Sequence, residues 1–371
     1  MATLQKDNLT FLEIVDICDN VHLHRGPTSL CDVSFNSEVL VPLYLSESSD
    51  SPVIGLLRPI MVEQLLLEDQ TSRKNGTAEL WSFRLDASKY IELRNGTTGP
   101  SVSFRNWLDT PSKRTNAMKE LCERWRDTGL FPNVCGPKKW RNEMYPIYSD
   151  PFGIHDYPLV AGHEDGLNFA FEMERSACAL FGVVTYGVHL NIYDEVLQED
   201  GQRSLRVWVP TRSFTKPTFP GMLDNTVAGG IPSGMPIFDS LVKECMEEAS
   251  IQPEAVKKYT RAMESCADLN AKRASTGWLQ PEVEYVYDIL IPPGVDPTPF
   301  TPKPLDGEVE SFEFVSHEEL LKKLQAALFK PNCGLVILDL FIRLGYITPD
   351  NEPDFMKIVN RLHGGFDYKI W

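Results

Sequence analysis

The chain has 371 residues, of which 42% are hydrophobic and 24% are charged, and its formal net charge is −16. This composition is typical of a globular protein with room for two domains, and it excludes a fibrous or wholly disordered chain. An acidic surface repels nucleic-acid phosphates, and no apolar run reaches the roughly 18 residues of a transmembrane helix, so neither nucleic acid nor a membrane is an expected partner.

The N-terminal part, residues 1–149, is predicted to form a small α+β domain. Thr10–Val21 places apolar groups at helical spacing behind a threonine that can cap the helix. Val53–Leu67 favours a short strand leading into a helix, and residues 113–127 favour an amphipathic helix. The turn-rich stretch Tyr145–Gly153 marks the end of this predicted domain.

Residues 150–371 are predicted to alternate strands and helices and to end in a helical extension. Segments rich in β-branched and aromatic residues predict strands at Val183–Tyr193, Leu205–Pro210, Glu282–Leu290 and Val309–Val315. Helices are predicted to begin near Pro236 and to cover residues 317–328 and 332–344. This order of elements favours an α/β or α+β fold.

The segment from Phe238 to Ala249 is predicted to be a helix with an acidic face. At about 100° per residue, Glu244, Glu247 and Glu248 share one side, opposite an apolar side. Three neighbouring carboxylates repel one another, and Mg²⁺ or Mn²⁺, which take oxygen ligands, would offset that repulsion. The alternative is an acidic surface that faces water, as most charge runs do.

A glycine-rich loop, Ala228–Gly234, precedes this helix. Glycines let the backbone approach a ligand closely, so the carbonyl group of Gly229 is a candidate metal ligand. The N-terminus of the following helix also favours anions. The loop and the acidic helix together predict a site at which a cation meets a phosphate-containing ligand.

This loop and helix resemble the Nudix box, whose pattern is G-x5-E-x7-R-E-U-x-E-E-x-G-U, where U is an aliphatic residue. Gly229 matches the opening glycine, and Ile251 matches the last aliphatic position. Glu244, Glu247 and Glu248 match the three core glutamates. In the family, these glutamates bind divalent ions, and the box forms a loop, helix and loop against a mixed sheet.

Four positions depart from the box pattern. Met235 replaces the first glutamate, Lys243 the arginine, Cys245 the core aliphatic residue and Ser250 the second glycine. A lysine lacks the bidentate fork of the arginine that orients the acidic residues in the family. Because all three core glutamates remain, we expect these changes to affect the catalytic rate more than metal binding.

A longer stretch, from about Met173 to Gly364, resembles a eukaryotic Nudix subfamily labelled thiamin pyrophosphokinase-related. The resemblance is carried by Tyr186–Asn191, Thr215–Gly230, Gly277–Asp288, Asp306–Glu313 and Phe329–Val336. It implies a mixed sheet sandwiched by helices, preceded by a smaller α+β domain. It also implies hydrolysis of thiamine diphosphate, or of its oxy and oxo analogues, to the monophosphate and phosphate.

Further residues are predicted to take part in this chemistry. At least one of Glu308 and Glu310, which lie two apart on a predicted strand, is expected to act as a metal ligand or base, as in related enzymes. Candidate substrate-binding residues are Trp278, Gln280, His189, Arg212 and Lys216. For each of them an ordinary structural role is the alternative, such as a packed tryptophan, a buried histidine or a surface charge.

The predicted reaction is attack of water on one phosphorus of a small-molecule diphosphate. Three alternatives stay open. A Nudix-fold isomerase is disfavoured because Asp224–Gly230, the segment entering the site, has no cysteine. A site that binds its ligand without turnover and a hydrolase of nucleoside-diphosphate substrates are the other two.

The eight cysteines are scattered, without a Cys-x-x-Cys pair. This pattern predicts free thiols in a reducing compartment rather than a zinc ribbon or a disulfide framework. The first residues lack the apolar core of a signal peptide, so the cytoplasm is expected, with mitochondrion and nucleus as open alternatives. The sequence does not distinguish a monomer from a homodimer.

Overall fold

The structure is a computed structural model, and the part of the chain that it describes comprises residues 8–19, 40–85, 100–158, 166–197, 203–263, 272–273 and 277–363. Within these ranges the protein is a mixture of helices and strands, which confirms the predicted α+β class. Within the described ranges, no helix combines the length and the hydropathy that a membrane span requires.

The first half of the chain forms a four-stranded sheet flanked by helices. Its elements are α1 (Phe11–Cys18), β1 (Val41–Tyr44), β2 (Val53–Leu57), α2 (Pro59–Asn75), β3 (Trp81–Arg84), β4 (Ser101–Phe104), α3 (Pro111–Thr128) and β5 (Met144–Tyr148). The strand order is β2-β1-β4-β3, and β5 pairs instead with β6, the next strand along the chain. The side chain of Thr10 accepts a hydrogen bond from the Glu13 N–H and caps α1, as predicted.

The second half contains the larger sheet. Its elements are β6 (Phe169–Glu174), α4 (Cys178–Phe181), β7 (Thr185–Leu197), β8 (Arg203–Arg212), β9 (Val227–Gly230), α5 (Ile237–Ala249), α6 (Pro253–Tyr259), β10 (Arg261–Ala262), β11 (Lys272–Arg273), β12 (Leu279–Gln280), β13 (Glu282–Leu290), β14 (Val309–Ser316), α7 (His317–Gln325), α8 (Pro331–Arg343) and α9 (Phe355–Leu362). The short helices α6 and α9 were not predicted.

The larger sheet is mixed, as predicted. Its order is β10-β13-β7-β8-β14, with β9 also paired to β7. Strands β13 and β7 run parallel, whereas the other pairs are antiparallel. The first nine residues of β7 are all buried, because α5 and α8 both pack against this strand. Strand β9, which leads into the loop and helix that resemble the Nudix box, pairs with this covered strand.

Three hydrophobic cores hold these layers together. The first comes from residues 41–183, with Trp278 as its one contribution from further along the chain. The second joins β7, β9, α5 and β13, and the third joins α1, β8, α7, α8 and α9. Helix α1 therefore packs against the C-terminal helices rather than against the four-stranded sheet. The predicted domain boundary near residue 150 stays a prediction.

The cysteines in the described ranges are buried free thiols, in agreement with the predicted absence of disulfides among them. They are Cys18, Cys122, Cys135, Cys178, Cys245 and Cys333. Cys31 and Cys266 lie outside the described residues.

His155 gives the fold a predictable response to acid. Its ring stacks on Tyr148, with 4.4 Å between centroids, and its Nε2 lies 3.0 Å from the hydroxyl oxygen of Tyr285. Its Nδ1 is buried without a hydrogen-bond partner among the described residues. Burial lowers the pKa of His155 to about 4, so the folded protein holds this ring neutral.

Between pH about 6.5 and 4 the unfolded chain therefore binds a proton at His155 that the folded chain rejects. We expect the wild-type protein to lose about 1–2 kcal/mol of unfolding free energy between pH 7 and pH 5 through this group. The variant His155→Asn should lose less over the same interval, which urea titrations at the two pH values would measure. Equal losses in the two proteins would contradict the assignment.

Candidate active site

A cavity of about 270 Å³ lies where the Nudix-like loop and α5 meet the larger sheet. Its wall is unusually rich in charge. The carboxylates in it are Glu143, Glu244, Glu247, Glu248, Glu282, Glu284, Asp306 and Glu308. The cations in it are Arg141, Arg175, Arg212, Lys216, Lys243 and Lys330. A polar cavity of mixed charge suits an anionic ligand bound together with a cation.

Local structure explains how α5 presents its acidic side. The helix begins after Pro236 and buries Leu241, Cys245 and Ala249 against the sheet, as its apolar periodicity predicted. It ends at Ser250, whose φ of 58° is the left-handed conformation that glycine favours. The box pattern has a glycine at this position. Ser250 replaces that glycine and adopts the same left-handed conformation that glycine would favour.

Three glycines let side chains of the cavity approach the backbone closely. A Cβ atom on Gly229 would overlap Cγ of Glu244, and one on Gly230 would overlap the hydroxyl oxygen of Tyr145. A Cβ atom on Gly187, in the neighbouring strand, would overlap a carboxylate oxygen of Glu284. The lack of a Cβ atom at these positions therefore leaves room for the side chains of Glu244, Tyr145 and Glu284.

Glu248 is the most deeply buried of the three box glutamates, with 7% of the residue exposed. Burial and the nearby Asp224 raise the pKa of Glu248 to about 8, although the ammonium group of Lys216 opposes them. That ammonium nitrogen lies 3.8 Å from Oε1 of Glu248. Oε2 accepts a hydrogen bond of 3.3 Å from the Ala228 N–H. This carboxylate lacks enough nearby positive charge to be fully ionised at neutral pH.

Glu244 and Glu247 are held by the lysine that replaces the family's arginine. The ammonium nitrogen of Lys243 lies 3.1 Å from Oε1 of Glu244 and 2.9 Å from Oε2 of Glu247. Burial raises the pKa of Glu244 in spite of this lysine. Lys243 thus links the two glutamates by single contacts, one to each, where an arginine could form a bidentate pair.

The box glutamates line one cavity but do not form a ready-made ligand set. In the described part of the chain, no three His, Cys, Asp or Glu side chains are grouped closely enough to hold a metal ion. Each of these carboxylates instead lies near a lysine, Lys216 or Lys243. Mg²⁺ keeps several waters and uses one or two carboxylates together with substrate phosphates. Burial raises the pKa values of Glu244 and Glu248, and a bound cation would stabilise their ionised forms. These two carboxylates therefore fit such an ion.

Glu308 and Glu310 have different surroundings. Glu308 immediately precedes β14, lines the cavity and forms an ion pair with Lys216. Glu310 is exposed and is not among the residues that line the cavity. The sequence predicted that Glu308 and Glu310 point the same way. A bulge between Val309 and Ser311 breaks the alternation of side chains along β14, and Glu310 does not line the cavity.

Arg212 lines the cavity, but its side-chain nitrogens already donate hydrogen bonds to Asp224 and to two carbonyl groups of the loop that follows β8. Its Nη1 lies 2.5 Å from Oδ2 of Asp224, and its other nitrogens donate to the carbonyl groups of Phe219 and Thr218, each at 3.0 Å. Arg212 therefore holds the loop that contains Lys216. Lys216 lies between Glu248 and Glu308 and is the better placed of the two cations for contact with a ligand.

His189 occupies the floor of the cavity, and both of its ring nitrogens are engaged. Nε2 lies 2.8 Å from Oε2 of Glu284, and Nδ1 lies 2.7 Å from Oδ1 of Asn225. Burial acts to lower the pKa of His189, but Glu284 and Cys333 raise it well above its ordinary value. The structure thus gives His189 the alternative role, that of a buried histidine with its own partners.

Trp278 and Gln280 are not brought to the cavity. Trp278 packs in the first core, where its ring meets Phe131 edge-on at 5.6 Å and Arg58 lies 5.3 Å from its centroid. Gln280 donates a hydrogen bond of 2.8 Å to Glu282. Neither residue is part of the cavity wall, so the predicted stacking role of Trp278 gives way to its core role.

Residues that the sequence analysis did not select complete the wall. Four of them precede the larger sheet in sequence: Arg141, Glu143, Tyr145 and Arg175. Asp306, Lys330 and Asn332 also line the cavity. Only the last three lie in or beside segments that carry the subfamily resemblance. The other four are joined to the cavity by contacts between distant parts of the chain, for which local sequence pattern gives no signal.

Comparison with known proteins identifies two regions in the chain. Residues 193–333 match the model of the NUDIX domain. Residues 83–185 match a domain of unknown function, DUF4743. The first match contains the loop, α5 and Glu308, and the second contains the four early residues of the cavity wall.

Relatives extend this likeness to most of the chain. An uncharacterised protein of Saccharomyces cerevisiae is 34% identical over 98% of this chain and 94% of its own length. Nudix hydrolase 20, chloroplastic, of Arabidopsis thaliana is 33% identical over 70% of this chain, which spans 61% of the plant protein. A solved NUDIX hydrolase from Nitrosomonas europaea is 16% identical, covers 43% of this chain and 88% of its own, and has a TM-score of 0.29.

Proposed function

We propose that the chain, in which residues 193–333 match the NUDIX domain, hydrolyses the diphosphate bond of thiamine diphosphate or of an oxidised analogue to give the monophosphate and phosphate. The observation that carries hydrolysis is the buried carboxylate of Glu248 in a charged cavity beside Gly229 and Lys216. The choice of thiamine rests on the five sequence segments that resemble the thiamin pyrophosphokinase-related subfamily.

In this proposal Glu244, Glu247, Glu248 and the carbonyl oxygen of Gly229 would hold one to three Mg²⁺ ions between them and the diphosphate. Nudix hydrolases generally use divalent metal ions, and such ions would neutralise diphosphate charge and activate a water. Ionised Glu248 is the form that serves as a ligand, so the raised pKa of this group makes a bound cation and a proton competitors for it.

The remaining charged residues of the cavity handle the substrate. Lys216 and Lys330 hold phosphate oxygens, because both lysines line the cavity. Glu308 takes the proton from the attacking water, since it lines the same cavity and is less deeply enclosed than Glu248. Water adds to one phosphorus, the phosphoanhydride bond breaks, and the monophosphate and phosphate leave.

A screen of product release, followed by ion-exchange chromatography, tests this function, because ADP-ribose and dinucleotides yield two phosphorylated products and no free phosphate. The purified chain would be assayed with Mg²⁺ on thiamine diphosphate, its oxy and oxo analogues, ADP-ribose and a dinucleotide, with an EDTA control. We expect kcat/KM for at least one thiamine-type substrate to exceed that for the nucleotides by about tenfold or more, which corresponds to about 1.4 kcal/mol of transition-state discrimination. EDTA should abolish the release.

The other outcomes of this screen are informative. Turnover of the nucleotide substrates alone would refute the thiamine proposal and leave a Nudix hydrolase of nucleoside-diphosphate compounds. Thermal stabilisation by thiamine diphosphate without phosphate release would favour the site that binds without turnover, to which the replacements at Met235 and Lys243 point.

A further inference from the structure

Part of the cavity wall comes from the region that matches a domain of unknown function. We call Arg141, Glu143, Tyr145 and Arg175 the N-terminal wall; all four line the cavity and fall within residues 83–185. This wall touches the Nudix-like loop directly. The N–H of Ser233 donates a 2.8 Å hydrogen bond to the Met144 carbonyl, beside the contact of Tyr145 with Gly230.

Three side chains of the N-terminal wall brace one another. Nη1 of Arg175 lies 2.8 Å from Oε2 of Glu143, and its guanidinium carbon lies 5.0 Å from the ring centroid of Tyr145. Tyr145 is itself buried, with 4% of the residue exposed. Mutual contacts of this kind fix the directions in which the arginine and the glutamate present their remaining polar atoms.

The fourth member, Arg141, is held only by its backbone. Its N–H donates a 2.8 Å hydrogen bond to Oε1 of Glu174, whereas its side chain has no ion pair or hydrogen bond within the described ranges. Burial and the neighbouring Arg175 lower the pKa of Arg141, but a guanidinium stays charged in water at neutral pH. Arg141 therefore presents an unused planar donor to the cavity.

The charges of this wall differ from those beside the acidic helix. Two arginines are balanced by Glu143 and by Glu282, which also lines the cavity. Such a surface has no excess of positive charge for a fully ionised phosphate. It offers a flat cation that stacks on a ring and donates hydrogen bonds, and carboxylate oxygens that accept from amino groups.

We propose that the N-terminal wall is the subsite for the organic half of the substrate, a planar nitrogen heterocycle that carries both hydrogen-bond donors and acceptors. This inference rests on the proposed function, in which the acidic helix and its lysines take the diphosphate. The region of unknown function then completes the active site and selects the substrate.

Kinetic and binding measurements on the full chain separate the two halves of the ligand. We expect Arg141→Ala to raise the KM of thiamine diphosphate, which is turned over with Mg²⁺, about tenfold in steady-state kinetics. The Kd of imidodiphosphate, which has phosphate groups but no organic half, should change by less than about twofold. The control Arg73→Ala removes an exposed arginine of α2 that does not line the cavity, and it should change neither constant.

The control ligand makes each remaining outcome decisive. Equal weakening of both ligands would place Arg141 on the phosphates and overturn the subsite, and so would unchanged binding of both. If the wild type binds imidodiphosphate and ADP-ribose but not thiamine diphosphate, the proposed substrate fails while the subsite is tested with ADP-ribose. If the wild type binds no diphosphate at all, the proposed function and the subsite fail together.

Discussion

Replacing Glu248 by glutamine is expected to lower magnesium-dependent phosphate release by about 10³-fold. The amide keeps the shape of the side chain but is a poor ligand for a hard cation and cannot take a proton. Folding should survive, because the pKa of about 8 means that the native chain already holds this group mainly neutral at pH 7 without a cation. Steady-state kinetics with saturating Mg²⁺ would measure the first effect, and thermal unfolding in EDTA the second.

The matched control is Glu254→Gln. Glu254 is an exposed residue in the first turn of α6, the helix that follows α5, and it does not line the cavity. It should leave turnover unchanged. Glu247→Gln, at the more exposed end of the acidic face, should lower turnover about 10²-fold. Wild-type activity in both Glu247→Gln and Glu248→Gln would end the assignment of α5 as the catalytic helix.

A methyl group on Gly229 should also lower catalytic efficiency strongly. In Gly229→Ala the new Cβ atom would overlap the side chain of Glu244, which has to rotate away because the backbone of β9 is fixed by its pairing with β7. Displacing a carboxylate that is proposed to bind the metal ion by about 1 Å can cost roughly 10²-fold in rate. We therefore expect kcat/KM to fall by about that factor, with an unfolding free energy lowered by about 1–3 kcal/mol.

Gly334→Ala provides the comparison for this substitution. Gly334 lies within α8, and an added Cβ atom would sit 3.5 Å from Cβ of Phe329, an ordinary contact distance. Alanine is also the better helix former by about 1 kcal/mol. Activity should be retained in this variant. Wild-type kcat/KM in Gly229→Ala would show that Glu244 does not need its present position beside the loop.

The acidic helix illustrates what could be predicted from local pattern. The spacing of Leu241, Cys245 and Ala249 fixed the buried side of α5, and the three glutamates followed from the same 3.6-residue period. The helical period did not reveal how deeply each glutamate is buried. Glu248 shares the acidic side with Glu247, yet it is buried while Glu247 is half exposed, because β9 and Lys216 cover only one edge of the helix.

Strand residues were harder to assign to a role. Period-two alternation predicted that Glu308 and Glu310 point the same way, and a bulge at the start of β14 changed that. The indole ring of Trp278 could have stacked on a ligand ring. It instead contacts Phe131 and Arg58, which lie more than a hundred positions earlier in the chain. Neither the bulge in β14 nor the packing of Trp278 can be predicted from the residues that are adjacent in sequence.

Short-range periodicity, capping and glycine placement are enough to predict the class of fold, the order of most helices and strands, and the three carboxylates of the loop–helix unit. Which distant side chains share the cavity with these carboxylates depends on tertiary contacts. Arg141, Glu143, Tyr145 and Arg175 reach it through the pairing of β5 with β6 and the docking of β5 on the loop. Such contacts depend on the burial of whole elements, and that burial is a property of the folded chain rather than of any local segment.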